Sequence, residues 1–137
     1  MMLSMRTEYA LRALFELSLA EEGQAVTRSE VAQRQKIPVH FLGQIFLALK
    51  KAGLIKTVKG PGGGYVLARE KDAINVWDIY KAVDHVEHEG QQCFPAMKQE
   101  CDQIASCRIK GVWFKLNKVI QESLSQMTLK DLATGQI

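Results

Sequence analysis

The sequence has no apolar run long enough to cross a lipid bilayer, which takes about 20 predominantly apolar residues. Residues 1–12 include Arg6, Glu8 and Arg12 and do not have the pattern of a secretory signal peptide. These absences predict a cytoplasmic protein with no membrane partner. The chain has 137 residues, 47% of them hydrophobic, which is enough for one packed domain or one domain with an extension.

Acidic residues are absent between residues 31 and 69. Seven basic residues occupy that span: Arg34, Lys36, Lys50, Lys51, Lys56, Lys59 and Arg69. From Lys71 onward, eight basic residues are balanced by nine acidic ones. The one-sided charge of the front half is typical of a nucleic-acid-binding surface.

Recognisable catalytic motifs are also absent. No nucleophile–base pair or cofactor fingerprint can be identified. The glycines of Gly60-Pro61-Gly62-Gly63-Gly64 are not followed by the Gly-Lys-Ser/Thr of a phosphate-binding loop. The sequence therefore predicts that the protein is not an enzyme.

Local patterns in the front half predict a winged helix-turn-helix. Thr27-Arg28-Ser29-Glu30 forms a capping box for a short helix ending near Gln35, and a second helix runs from Pro38, in its first turn, to Gly53. Two helices joined by so short a turn indicate a helix-turn-helix. The expected strands 54–58 and 65–67, joined by the glycine turn, form the wing.

A long helix is expected after residue 107. Its apolar side is wide, and such a stripe on a helix outside the compact domain usually packs on a second copy of the chain. The stripe comprises Val112, Leu116, Val119, Ile120, Ser123 and Met127. The predicted fold is mainly α with a two-stranded β wing: a winged helix-turn-helix DNA-binding domain (1–84), a cysteine-rich loop (85–107), and a C-terminal dimerisation helix and tail (108–137).

Cysteine is missing from the whole chain except one short stretch, which holds Cys93, Cys101 and Cys107 in the pattern C-x7-C-x5-C. An odd number of thiols cannot pair completely within one chain, and the spacing is not the Cys-x-x-Cys of usual zinc sites. Three thiolates with one non-cysteine ligand suit a soft-metal or iron–sulfur site. The alternative is three unrelated buried thiols that pack as small apolar residues.

Three segments together resemble the IscR/NsrR/RirA family of winged-helix transcription regulators. They are residues 8–14 (EYALRAL), 52–54 (AGL) and 59–67 (KGPGGGYVL). The resemblance covers essentially the whole chain. It implies a bacterial homodimer that binds palindromic double-stranded DNA. It also implies that the three cysteines hold an iron–sulfur cluster, either 2Fe-2S or 4Fe-4S. The state of that cluster would set DNA affinity in response to iron, cluster supply, oxidants or nitric oxide.

The fourth cluster ligand differs between branches of that family. The cluster-supply branch has a histidine three residues after its third cysteine, where this chain has Lys110. The nitric-oxide branch uses an acidic residue of the first helix, supplied by the partner subunit, and Glu8 matches that position. Glu8 is thus the candidate fourth ligand, although a salt bridge to Arg12 would explain it equally well. The rival ligands are His85, His88, Glu100 and Asp102.

Candidate DNA-contacting residues follow from their places in the motif. Those near the start of the recognition helix are expected to face base edges, and Gln44 can pair with adenine through two hydrogen bonds. They are Val39, His40, Gly43 and Gln44. The cluster-supply branch has a glutamate where this chain has Gly43, so its DNA-sequence preference does not transfer. The expected phosphate, minor-groove and wing contacts are Arg28, Ser29, Lys50, Lys51, Lys59, Gly60, Pro61 and Gly62.

Two other functions remain open from the sequence. One is a regulator of the same fold without a cluster, which senses through a bound enzyme or metabolite. The other is a zinc-stabilised interaction protein. Metal analysis of protein purified without oxygen distinguishes these two functions from each other and from a regulator that holds an iron–sulfur cluster.

Overall fold

The computed structural model describes residues 3–84 and 106–137. Its elements are α1 (Met5–Leu19), α2 (Arg28–Gln35), α3 (Val39–Lys51), β1 (Ile55–Val58), β2 (Gly64–Leu67), a short 3-10 helix (Lys71–Ala73), α4 (Val76–Val83), α5 (Lys110–Ser125) and α6 (Leu129–Thr134). The predicted mainly helical fold with a two-stranded wing is confirmed. Outside the described residues lie Cys93, Cys101, His85, His88, Glu100 and Asp102. Across the described ranges, no helix is both long and apolar enough to span a membrane.

Capping boxes fix where α2, α4 and α6 begin. At α2, Glu30 N donates to Thr27 Oγ1 at 3.1 Å, and Thr27 N donates to Glu30 Oε2 at 2.8 Å. The same reciprocal pair forms at the other two helices, with Asn75 and Asp78 at α4 and Thr128 and Asp131 at α6. Each box gives partners to backbone N–H groups that the helix itself leaves unpaired.

The turn between α2 and α3 differs in one detail from its prediction. Pro38 is the N-cap of α3, with φ −58° and ψ 126°, and the first helical residue is Val39. A proline at the N-cap still removes no intrahelical hydrogen bond, so the helix can begin directly after it. Before it, Lys36 adopts the left-handed conformation at φ 55°, which ends α2 and reverses the chain within a few residues.

The core lies between α1, α3 and α4. The innermost side chains of α1 and α3 are Ala10, Ala13, Leu14, Leu42, Phe46 and Leu49, all 0–1% exposed. Ile74 and Ile79 close the core from the α4 side. Leu129 of α6 joins the same cluster at 1% exposure, although it follows in sequence only after α5.

Backbone hydrogen bonds hold α6 to the start of α4. Val76 N donates to Met127 O at 2.9 Å, and Leu129 N donates to Ile74 O at 2.8 Å. Asn75 and Thr128 form an isolated antiparallel bridge between these segments. The chain after α5 is therefore fastened to the body that carries the helix-turn-helix.

Candidate nucleic-acid interface and metal-ligand residues

The outward face of α3 is the centre of the candidate DNA interface. Leu42, Ile45 and Phe46 point into the core, with Leu49 a turn further on. The opposite face is exposed and comprises His40, Gln44, Leu47 and Lys51. Since α3 packs on both α1 and α2 through its other sides, this face is free to enter a groove.

Aromatic contacts fix the N-terminal end of α3. The ring of Phe41 lies 4.3 Å from that of His40 and 6.0 Å from that of Tyr9 on α1, measured between centroids. Phe41 is nevertheless 49% exposed, and its neighbour Val39 is 50% exposed. Exposed apolar side chains at the start of a recognition helix suit contact with thymine methyl groups.

Arg28 and Ser29 are exposed in the first turn of α2. A Cβ atom placed on Gly43 would lie only 3.0 Å from Arg28 Nη1, so the guanidinium rests against the backbone of α3. The sequence predicted DNA contact for both Arg28 and Gly43. It gave no sign that these two residues touch, because they are far apart in the chain. A glycine in the middle of a helix was the one available signal.

The wing is fastened to the helix-turn-helix by backbone and ring contacts. β1 and β2 pair antiparallel, with Ile55 opposite Leu67 and Val58 opposite Gly64. Tyr65 exchanges two backbone hydrogen bonds with Val26, at 2.8 and 2.9 Å, just before α2. Its ring also lies 4.4 Å from that of Phe46 in the core. The wing and α3 are thus held in one fixed arrangement.

The turn at the end of the wing depends on its glycines. Gly60 and Gly62 have φ of 92° and 73°, a region that favours glycine. At Gly63 a Cβ would lie 2.4 Å from Val58 O, so no side chain fits. These constraints leave Lys59 exposed at the tip beside Pro61, in position to reach a neighbouring groove.

Lys50 and Lys51 are exposed in the last turn of α3. Two cations there complement the partial negative charge at the C-terminal end of a helix. They lie at the opposite end of α3 from Val39 and His40. Phosphate is therefore the expected partner of both lysines rather than a base edge.

Of the three cysteines, the structure describes Cys107. Its thiol is free and partly exposed, shortly before the first helical residue of α5. Among residues 3–84 and 106–137, no three His, Cys, Asp or Glu side chains are grouped as metal ligands would be. The other two cysteines of the C-x7-C-x5-C pattern, Cys93 and Cys101, lie outside these ranges.

Glu8 forms a salt bridge with Arg12 one turn along α1. Arg12 Nε and Nη2 both donate to Glu8 Oε1, at 2.9 and 2.8 Å. Glu8 Oε2 accepts no hydrogen bond from the described part of the chain. The side chains are 45% and 47% exposed, so solvent weakens the pair, and the carboxylate remains accessible to another ligand.

Asp84 ties the end of α4 to the start of α1. Its carboxylate accepts hydrogen bonds from the hydroxyls of Ser4 and Thr7 and from Ser4 N at 3.3 Å. Ser4 is also the N-cap of α1, accepting from Arg6 N at 3.1 Å. Burial, together with the Asp84 charge, raises the pKa of Tyr80 one turn earlier. The last residue before the cysteine segment is thereby fixed to the helix that carries Glu8.

The apolar side of α5 is largely uncovered. Within that helix Leu124 alone is buried, at 9% exposure. Val112 and Val119 on that side are 60% and 54% exposed, and Phe114, on another face of the same helix, is 44% exposed. So much exposed apolar surface on one helix is typical of a protein–protein contact.

Comparison with known proteins decides the family. Residues 3–135 match the sequence profile described as Rrf2, iron-dependent transcriptional regulator. The chain belongs to the Rrf2 family. It is 32% identical over 136 residues to the HTH-type transcriptional regulator IscR of Erwinia tasmaniensis, spanning 99% of this chain and 81% of that protein.

Two solved structures share the whole Rrf2 fold of this chain. T. potens IscR superposes with a TM-score of 0.77 at 32% identity, covering 100% of this chain and 89% of the other. CymR, described as the global cysteine regulator of B. subtilis, superposes with a TM-score of 0.75 at 27% identity, covering 98% and 97%. These relatives confirm a winged-helix transcriptional regulator rather than an enzyme, and they imply DNA binding.

The structure brings some of the predicted Rrf2 site residues together and separates others. Arg28 and Gly43 are in contact, and His40 and Gln44 share the outward face of α3 with them. Lys59 is separate from these residues, at the tip of the wing. Sequence reasoning missed Tyr9, Phe41 and Asp84, which position the site without carrying any recognisable motif.

Proposed function

We propose that this Rrf2 protein is a homodimeric regulator of the bacterial cytoplasm that binds palindromic DNA under the control of an iron–sulfur cluster. Its ligands are Cys93, Cys101 and Cys107 of one subunit and Glu8 of the other. Similarity to two IscR proteins supports this proposal. So does the position of the cysteine segment in the chain, between Asp84, whose carboxylate is bonded to the start of α1, and Cys107, which comes just before α5.

The donor set fits such a group chemically. Thiolates bind iron in clusters, and the free, partly exposed thiol of Cys107 is available as such a ligand. Glu8 adds a harder oxygen ligand, which leaves one iron more labile than thiolate would. The open Oε2 of Glu8 suits this role, because the salt bridge to Arg12 occupies only Oε1. When bound, the cluster would supply sensitivity to iron and oxidants.

The coupling between cluster and DNA runs through contacts of the chain itself. Asp84 joins the cysteine segment to α1, and α1 contacts α3 through Tyr9 and Phe41. A change in the segment therefore reaches the N-terminal end of the recognition helix through α1. In a dimer, a ligand shared between subunits would also set the spacing of the two α3 helices. Typical coupling energies of about 1–3 kcal/mol correspond to changes in DNA affinity of roughly 5- to 150-fold.

The deciding experiment is metal and sulfide analysis of protein purified without oxygen, followed by DNA binding. The wild type should contain iron and acid-labile sulfide. Cys93→Ala, Cys101→Ala and Cys107→Ala should each remove the visible charge-transfer absorbance. Each should also shift DNA affinity by roughly 5- to 150-fold. If these variants bind target DNA as the loaded wild type does, the cluster does not control binding.

The role of Glu8 needs its own control, because Glu8→Ala also breaks the pair with Arg12. Arg12→Ala removes the same salt bridge but keeps the carboxylate. Glu8→Ala should make the cluster labile or absent, whereas Arg12→Ala should retain it. Equal cluster loss in both variants would assign the effect to the salt bridge. A silent Glu8→Ala would move the fourth ligand to His85, His88, Glu100 or Asp102.

The similarity to CymR supports a second candidate function, a regulator without a cluster that responds to cysteine metabolism through a metabolite or partner enzyme. Protein purified without iron, sulfide or zinc that still binds specific DNA would favour this candidate. Zinc without sulfide would instead indicate a zinc-stabilised interaction protein.

A further inference from the structure

Arg28 is an arginine whose donors are open. It is exposed at the first position of α2, and within the described ranges no carboxylate pairs with it. By contrast, Arg12 and Arg34 of the same body are paired with Glu8 and Glu16. A guanidinium without a carboxylate partner has its planar fork of N–H donors available for a ligand.

That guanidinium lies against the recognition helix. Nη1 would be 3.0 Å from a Cβ on Gly43, so a side chain at that position would shift the guanidinium by a few tenths of an ångström. Gly43 lies on the flank of α3, between the buried Leu42 and the outward-facing Gln44. On a helix surface, position 43 neighbours positions 40 and 47, so the guanidinium extends the outward face of α3.

We propose that Arg28 reads a guanine in the major groove and that Gly43 is the positioning residue that makes room for it. Arginine donates two parallel hydrogen bonds to guanine O6 and N7, the commonest specific contact between proteins and DNA. A contact to phosphate would not need the guanidinium to lie along α3, the element that enters the groove. This assignment rests on the proposed DNA-binding function and names one base of its target.

The test begins with selection of preferred sites from random double-stranded DNA by the wild-type protein. Every base pair of the best site is then exchanged in turn, and affinity is measured for wild type and Arg28→Ala. Exchange of one guanine per half-site should weaken wild-type binding by about 5- to 150-fold. It should leave Arg28→Ala binding unchanged. Replacing that guanine by 7-deazaguanine, which lacks the N7 acceptor, should also weaken only the wild type.

Gly43→Ala tests the positioning role. The methyl group should shift the guanidinium by a few tenths of an ångström, out of line with the guanine edge, and so reduce discrimination at the same guanine. The melting temperature should not fall, because alanine favours a helix more than glycine does and Gly43 is not in a positive-φ conformation. Since both changes act on one contact, Arg28→Ala with Gly43→Ala should lose no more discrimination than Arg28→Ala alone. Arg34→Ala, which removes an equal charge from the same helix, should keep the preference.

Three results would count against these assignments. Uniform weakening of all sequences by Arg28→Ala, with the guanine preference kept and the salt slope lowered by about one, indicates a phosphate contact and overturns the base assignment. Full guanine discrimination in Gly43→Ala overturns the positioning role. A wild-type protein that selects no sequence overturns the proposed function, and the guanine assignment with it.

Discussion

Helices α3 and α5 have similar lengths, 13 and 16 residues, and both have an apolar side. α3 buries that side within its own chain, with Leu42, Phe46 and Leu49 at 0–1% exposure. α5 buries only Leu124 and leaves Val119 54% exposed. An apolar stripe therefore predicts that a helix is covered, but not whether the cover comes from its own chain or from another copy.

The two helices also begin differently. Neither helix has a side-chain cap, at Pro38 of α3 or at Ile109 of α5, but α3 follows directly on α2, which starts with a complete capping box. A helix that is neither capped nor well covered is marginal alone, because most helical stability in proteins comes from tertiary packing. We therefore expect α5 to depend on assembly, and α3 to be stable in the single chain.

The largest difference in unfolding free energy is expected between two single variants, one that removes a phenylalanine from α3 and one that removes a phenylalanine from α5. Phe46→Ala should lower the free energy of unfolding by about 3–5 kcal/mol, because it opens a cavity in the core. Phe114→Ala, at a side chain that is 44% exposed, should cost much less at protein concentrations too low for assembly. Denaturant unfolding of both variants measures the difference, and equal losses would contradict the comparison.

A charge on the apolar side of α5 should break the proposed dimer. Leu116→Asp with Ile120→Asp should raise the dissociation constant at least about 100-fold, since an unpaired buried carboxylate costs about 3 kcal/mol or more. Sedimentation velocity measures the assembly state. The fold should persist, as neither residue belongs to the core.

Gln121→Asp, which places one such charge elsewhere on α5, is the control and should leave the dimer intact. If the double variant still sediments as a dimer, the interface lies elsewhere and the exposed side of α5 needs another explanation.

One lysine of the wing and one of α5 allow these two regions to be compared as DNA contacts. Lys59→Ala at the wing tip should weaken binding and lower the salt slope by about one, if one phosphate contact is lost. Lys118→Ala on α5, whose ammonium pairs with Glu122 at 3.8 Å, removes the same charge and should change neither. Titrations at several salt concentrations measure both, and identical slopes for the two variants would exclude the wing from the contact.

The smallest effect concerns the cap of α2. Thr27→Ala should cost about 1 kcal/mol of unfolding free energy, the usual value for an N-cap. The backbone N–H of Thr27 lowers the pKa of Glu30 below its ordinary value. Folding therefore favours the ionised form of Glu30. The stability that this carboxylate adds is fully present above its ordinary pKa and is lost as the pH falls through its lowered pKa in the folded state.

Thr27→Ala keeps that backbone N–H but removes the hydroxyl, which also bonds Glu30 and lowers its pKa. Unfolding measured from neutral pH down to acid should thus show a slightly smaller loss of stability in Thr27→Ala than in wild type. Arg108→Ala, outside any cap, should keep the wild-type profile. An unchanged profile in Thr27→Ala would remove the cap as the cause.

Local signals explain what the sequence predicted well. The capping box at Thr27 and the glycine turn after Lys59 each involve neighbours within a few residues, so their chemistry is readable from spacing. The start of α3 was placed slightly early because proline is compatible with both the N-cap and the first turn.

Contacts between distant residues could not be read in the same way. Asp84 binds Ser4 across 80 positions, and Arg28 meets Gly43 through the packing of α2 on α3. No periodicity links such pairs, so they become visible only when the helices are placed. The same holds for Leu129, whose burial against the front half follows from the path of the chain after α5.

The burial of Leu129 also sets an order of events during synthesis. The ribosome releases the helix-turn-helix and wing long before α6, yet their shared core is incomplete until residues 129–134 emerge. At about 5–20 residues per second, the interval from the end of α4 is roughly 3 to 10 s. Within that interval α5 emerges ahead of the segment that completes the core. A nascent chain therefore exposes its apolar helix before its DNA-reading body is finished, and neighbouring chains on one messenger can meet through α5 first.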